Sequence, residues 1–197
     1  MSENGAAAPA LTTPEEWRGY LREYSETYLR TANRYQRALL DPGQAAAGWM
    51  GHEPAGEEAV AAAEQRLGVR FPPSFRAFLL TTDGWDGVGG WVGLVYGCKD
   101  ISWLRDTGWG EEFIEIYSDD EDGDEEYVAL FQRSLEITNG EDFWFLDPTE
   151  VGPDGEWAGY LFTPKYGEME RYAGFAALFH ASRRLMEELA GDDAAGR

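Results

Sequence analysis

Residues 57–85 read EEAVAAAEQRLGVRFPPSFRAFLLTTDGW, and two short helices divided by a tight turn account for the whole stretch. The first runs from Glu57 to Leu67 and ends at Gly68, the residue type that most readily takes the left-handed conformation past a helix C-terminus. The second restarts at Pro72–Pro73, because proline fits the first helical turn, where its missing N–H is not needed. Phe75, Phe78 and Leu79 make its apolar face, and Gly84 stops it.

Toward the N-terminus, Thr13 reads as an N-cap, with Pro14 at the first helical position and Glu16 completing a Thr-x-x-Glu capping box. Trp17, Tyr20, Leu21, Tyr24, Tyr28, Tyr35 and Leu39 recur at three-and-four spacings, which predicts one amphipathic helix over residues 14–40. The stretch DPGQAAAGWMGHEPAGE, from Asp41, breaks that pattern and reads as a connector. Toward the C-terminus, GVGGWVGLVYG (87–97) reads as a strand or hairpin start, and residues 98–119 as short helical turns. Strands are expected over Tyr127–Phe131, Phe143–Leu146 and Trp157–Phe162, separated by the turns TNGED and DPTEVGPDGE. Residues 173–190 close the chain as a helix carrying Phe175, Leu178, Phe179, Leu185, Met186 and Leu189 on one stripe. Helices, then strands, then a helix, with no internal repeat, predict an α+β fold around a central, mostly antiparallel sheet.

The 197 residues hold 16 Lys and Arg against 37 Asp and Glu, a net charge of −21, with 43% hydrophobic and 14% aromatic residues. That composition builds a packed core and repels both phosphate backbones and anionic membranes. No stretch approaches the roughly 20 apolar residues that span a bilayer, and the opening MSENGAAAPALTTPEEW carries neither the basic nor the apolar region of a secretory signal. The single cysteine, Cys98, fits a reducing compartment, so a cytoplasmic location is expected.

Signals for catalysis are poor. His52 stands in HEPAG, which lacks the second histidine of a zinc-protease helix, and His180 lies beside an apolar helical stripe in a stretch of sequence that spells no catalytic motif. Cys98 has no electropositive motif around it and reads as a small structural residue. GVGGWVG fails as a phosphate loop, because Val92 occupies the place of the third glycine and no strand precedes it. Paired carboxylates are plentiful, but only their separation across a cleft would make them meaningful. No enzyme and no cofactor are expected.

The most unusual stretch is SDDEDGDEE (118–126), the end of a run from Glu111 to Glu126 with ten carboxylates and no lysine or arginine. A calcium loop with Gly123 at its sixth place would begin at Ser118 and put Ala129 where the bidentate glutamate belongs, so no metal is assigned. So many unpaired like charges must be solvated. They can act on a nearby cationic protein, because complementary charge raises association rates by orders of magnitude.

The stretch at 57–85 also resembles a motif of the SUKH superfamily: Glu64, Leu67 and Gly68 end the first helix, Pro72 or Pro73 with Phe75, Phe78 and Leu79 form the second, and Asp83–Gly84 make the turn. Asp83 stands where the family usually has asparagine. LEITNGEDFWFLDPTEVGPDGEWAGYLFTPKYGEMERYAGFAALF is similar to the remainder of the family frame, so the resemblance runs from about Glu57 to Leu189. The expected organisation is a flexible tail at 1–13, a helix and connector at 14–56 outside the family frame, one SUKH-like α+β domain over 57–191 with its last helix packed on the sheet, and a second flexible tail at 192–197. The resemblance implies mostly architectural motifs, with Leu67, Phe75, Phe78, Trp144, Leu146 and Trp157 in the core. Bacterial members are commonly immunity proteins that neutralise a toxin, often a nuclease or deaminase; other relatives are intracellular regulators and adaptors.

The functional expectation is therefore a protein that blocks a basic toxin domain, with no nucleic-acid or membrane partner. Asp119, Asp120, Asp122, Asp124, Glu125 and Glu126 are the expected steering charges. Trp85 and Trp109 are candidate aromatic anchors, tryptophan being enriched among interface hot spots. Trp91 is weighed beside them, with packing in the sheet as the preferred reading.

Overall fold

The computed structural model describes residues 10–119 and 124–195. Helix α1 (Pro14–Thr31) starts on its capping box: Thr13 Oγ1 accepts from the Glu16 amide at 3.3 Å, and Glu16 Oε2 accepts from the Thr13 amide at 3.0 Å. The helix does not continue to residue 40. The backbone leaves the helix at Ala32, and Asn33 Oδ1 accepts from the amides of Tyr35 (2.8 Å) and Gln36 (3.0 Å) to start a separate helix, α2 (Arg34–Leu39). A short polar side chain that bonds neighbouring amides competes with the helical ladder. Tyr35 and Leu39 consequently fall off the α1 stripe and stand exposed. The expected connector holds a further short helix, α3 (Pro42–Ala47), capped by Asp41.

Helices α4 (Glu57–Leu67) and α5 (Pro73–Leu79) form as expected, with Gly68 ending α4 at φ 72°. Pro72 offers no side-chain cap to α5. Glu156, from far along the chain, does so instead: its carboxylate accepts from the Ser74 amide at 2.7 Å and from Ser74 Oγ at 2.5 Å. The chain continues through β1 (Trp85–Asp86), β2 (Val92–Val95), β3 (Ser102–Trp103), α6 (Gly108–Asp119), α7 (Glu125–Arg133), β4 (Leu135–Glu136), β5 (Thr138–Gly140), β6 (Phe143–Val151), β7 (Trp157–Thr163), β8 (Glu168–Tyr172) and α8 (Phe175–Ala195). All strand pairs are antiparallel, in a small sheet of order β1-β2-β5 and a larger one of order β3-β4-β6-β7-β8.

The strand expected over Tyr127–Phe131 is helical, within α7. A five-residue apolar run satisfies either period. Here Asp124 tips the balance by accepting from the amides of Glu126 and Tyr127, while Glu125 and Glu126 favour the positive end of the helix dipole. Strand β8 has no counterpart in the sequence reading, because EMERY carries only two apolar residues among charges.

Alternation along the large sheet makes three layers. Phe143, Phe145, Tyr160 and Phe162 point to one face and pack with Phe113 of α6 and Leu130 and Phe131 of α7. Trp144, Leu146, Trp157 and Leu161 point to the other, toward α8, α5, α4 and α1. In that second layer Trp17 of α1 meets Phe78 and Phe179 edge-on, each at a centroid distance of 5.3 Å. Helix α1 is thus part of the main core, and Leu11 just before it is buried as well.

Candidate functional site

Helices α6 and α7 form the outer layer over one sheet face. Their inner sides interlock through Tyr117 and Tyr127 (5.4 Å between rings) and Phe113 and Phe131 (5.6 Å). At the far end of α7, Arg133 Nε donates to Oδ2 of the fully buried Asp147 at 2.6 Å, fixing the helix to β6. The outer side carries Glu111, Glu112, Glu115, Asp124, Glu125 and Glu126, all exposed. Burial, with the Asp124 charge beside them, pushes the Tyr117 and Tyr127 phenols up. The Glu111, Glu125 and Glu126 charges suit the first turns of their helices, and Asp119 is the last residue of α6.

Of the expected steering charges, Asp124 also caps α7, and Glu125 and Glu126 follow it on one helical turn. Asp120 and Asp122 lie outside the described residues. Of a calcium loop beginning at Ser118, Ser118–Asp119 fall in α6 and Glu125–Ala129 in α7, and the positions from Asp120 to Gly123 lie outside the described residues. Among the described residues no group of three or more His, Cys, Asp or Glu side chains is placed to hold a metal ion.

The tryptophans divide differently from expectation. Trp85 cannot anchor a partner: it is 0% exposed and sealed between Tyr24 and Trp49, whose ring lies 5.1 Å away. The alternation of β1 sends it inward, and a two-residue strand among glycines gave no period from which to see this. Trp109 is half exposed on α6, its inner edge against Phe113 and Phe143. Trp91 does not pack in the sheet but stands 65% exposed. Its carbonyl accepts from the amides of Glu141 (2.9 Å) and Asp142 (3.2 Å). Trp109 thus meets the first residue of β6, and the Trp91 backbone holds the turn just before it.

A groove of about 660 Å³ lies elsewhere, lined by Arg18 and Arg22 of α1, Trp49, His52, Glu53 and Asp86 among others. In it Asp86 Oδ2 accepts from Gln44 Nε2 at 2.8 Å and sits 3.3 Å from His52 Nε2. Nothing in the sequence pattern joins α1, the 41–54 segment and β1, so this pairing was not foreseen. Thr81, also on its wall, donates from Oγ1 to the Ala77 carbonyl at 2.8 Å. Cys98 is buried, with its thiol pushed up to about 12 by burial and the adjacent Asp83 carboxylate, the reverse of what a nucleophile needs. His180 stacks edge-on against Tyr20 at 4.6 Å. No helix among the described residues is long and apolar enough to cross a membrane.

No curated protein matches the chain. The family model of the SMI1 / KNR4 family (SUKH-1) matches residues 54–179, from just before α4 into α8. With that match over most of its length and the helix–turn–helix, antiparallel sheet and closing helix all in place, the chain belongs to the SMI1/KNR4 (SUKH-1) family.

Proposed function

We propose that the protein is a cytoplasmic, non-catalytic immunity protein that binds a basic toxin domain of the nuclease or deaminase class and blocks its active site. The observation that carries this reading is the exposed acidic face of α6 and α7, seated on aromatic packing and the Arg133–Asp147 ion pair. A toxin that cleaves or edits nucleic acid needs cationic side chains to hold phosphates, and a rigid anionic face can occupy the same surface. Membership of the family supports a protein-binding role of this kind. The test is co-expression with a toxin whose small basic C-terminal domain is encoded beside this gene. Cells should survive with the protein and die without it; equal killing in both would reject the reading.

A second reading, an intracellular regulatory adaptor, draws on the mixed-charge groove between α1 and β1, a second surface of different character partly outside the family match. Several endogenous proteins retained by the wild type and lost with Arg18→Ala/Arg22→Ala, together with no protection against the toxin, would favour it.

A further inference from the structure

On the sheet face covered by α8, Trp144, Leu161 and Glu170 stand in one row across β6, β7 and β8. Asp142, in the turn just before β6, lines the same crevice as Trp144. Leu178 and Leu185 of α8 form the opposite wall, and the loop carrying Trp91 closes one end of a crevice of about 250 Å³. Small-molecule pockets are larger, about 300–1,000 Å³; this one has the scale of a single long side chain. Its mouth is apolar and open to solvent, with Trp91 at 65% exposure and Leu185 at 37%. Its charges are Asp142, Glu170 and Glu188 against Arg184. Asp142 is half-buried, and burial together with the neighbouring Glu141 charge pushes its carboxyl up against a hydrogen bond from Thr163. Glu170 accepts from the Tyr172 hydroxyl at 2.7 Å.

We propose that the Trp91–Leu185 crevice receives a lysine or arginine side chain of a basic partner protein, its head group paired with Asp142 and its stem laid along Trp91 and Leu185. The partner's class rests on the immunity reading; the crevice itself rests on geometry. An exposed tryptophan held on a clamped backbone offers a cation both a π face and an apolar wall. A half-desolvated carboxylate beside it lacks water that an incoming cation replaces. A second copy of this chain is a poor occupant, since each brings a net charge of −21.

The test uses the full chain with ¹⁵N-labelled tryptophan, in which Trp91→Phe identifies the Trp91 indole signal. The probe is a short alternating leucine–arginine peptide amide, with the citrulline peptide as its neutral control. The arginine peptide should shift the Trp91 indole saturably and the citrulline peptide should not. Asp142→Asn should weaken binding by about tenfold, the scale of a lost charge-assisted bond. Substituting Gln for Glu111, Glu112, Glu115, Glu125 and Glu126 should leave the shift in place. Binding that leaves the Trp91 signal still, or no saturable binding, would overturn the crevice, as would a dimer of the free protein that Trp91→Ala dissolves. Toxin protection with an unmoved Trp91 rejects the crevice alone; a peptide-induced Trp91 shift without toxin protection rejects the immunity reading alone.

Discussion

The hydroxyl of Tyr24 on α1 lies 2.7 Å from Oγ of Ser182 on α8, although the two residues are 158 positions apart. The Gly89 amide donates to the same Tyr24 oxygen at 3.0 Å, and Ser182 Oγ donates to the Gly89 carbonyl at 3.3 Å. Helix α1, the loop at Gly89 and helix α8 are thus joined in a buried polar knot, in which Tyr24 and Ser182 both lie outside the family match. Tyr24→Phe keeps the ring packing but leaves Gly89 N–H and Ser182 short of a partner, and should cost about 1–3 kcal/mol. Urea unfolding followed by fluorescence checks this. An unchanged midpoint would mean that α1 is held by its aromatic contacts alone.

The Arg133–Asp147 pair sets where the acidic layer sits. Because the Asp147 side chain is fully buried, Arg133→Ala strands a charge in the interior and should destabilise by about 3 kcal/mol, toward the lower end expected for broken buried pairs because the arginine is partly exposed. Adding Asp147→Asn to that variant should recover part of the loss. A double variant no more stable than Arg133→Ala would show that packing, not the stranded charge, carries the penalty.

Glu136 predicts a pH dependence. Burial pushes its carboxyl up, opposed by the hydrogen bond that Oε1 accepts from the Tyr96 hydroxyl, and its second oxygen has no partner. A carboxyl whose folded pKa exceeds its unfolded value binds its proton more tightly when folded. Stability therefore falls as pH rises from the unfolded pKa through the folded one. Glu136→Gln should melt higher than wild type at pH 8, and the gap should close below about pH 4, where both carboxyl forms are protonated. A wild type that melts higher than the variant at pH 8 would contradict this.

The acidic face should act on rate more than on final affinity. Asn caps a helix as well as Asp does, so Asp124→Asn with Glu125→Gln and Glu126→Gln removes charge without undoing α7. Association with a cognate basic toxin domain, followed by stopped flow, should slow and lose much of its salt dependence. Unchanged kinetics would take these three residues out of the mechanism.

Most of the architecture was legible because apolar spacing and punctuation agreed: Thr13 and Glu16 at the start of α1, Gly68 after α4, and the aromatic alternation of β6 and β7. The misreadings have local causes. Asn33 divides a helix whose apolar spacing runs on, because a side-chain oxygen outcompetes the ladder. Residues 127–131 satisfy both periods and are decided by the acids before them. The site was legible only as charge. Which tryptophan faces water depends on pairing partners such as Val95 opposite Trp85, or on the Glu141 and Asp142 amides that hold Trp91, and neither is local in sequence.

As proposed above, this protein silences a basic enzyme by covering it. The most direct test is titration of the purified protein into the purified catalytic domain of the neighbouring toxin, with nucleic-acid turnover as the readout. Activity should fall linearly to background at one equivalent; turnover unaffected by excess protein would contradict covering of the enzyme.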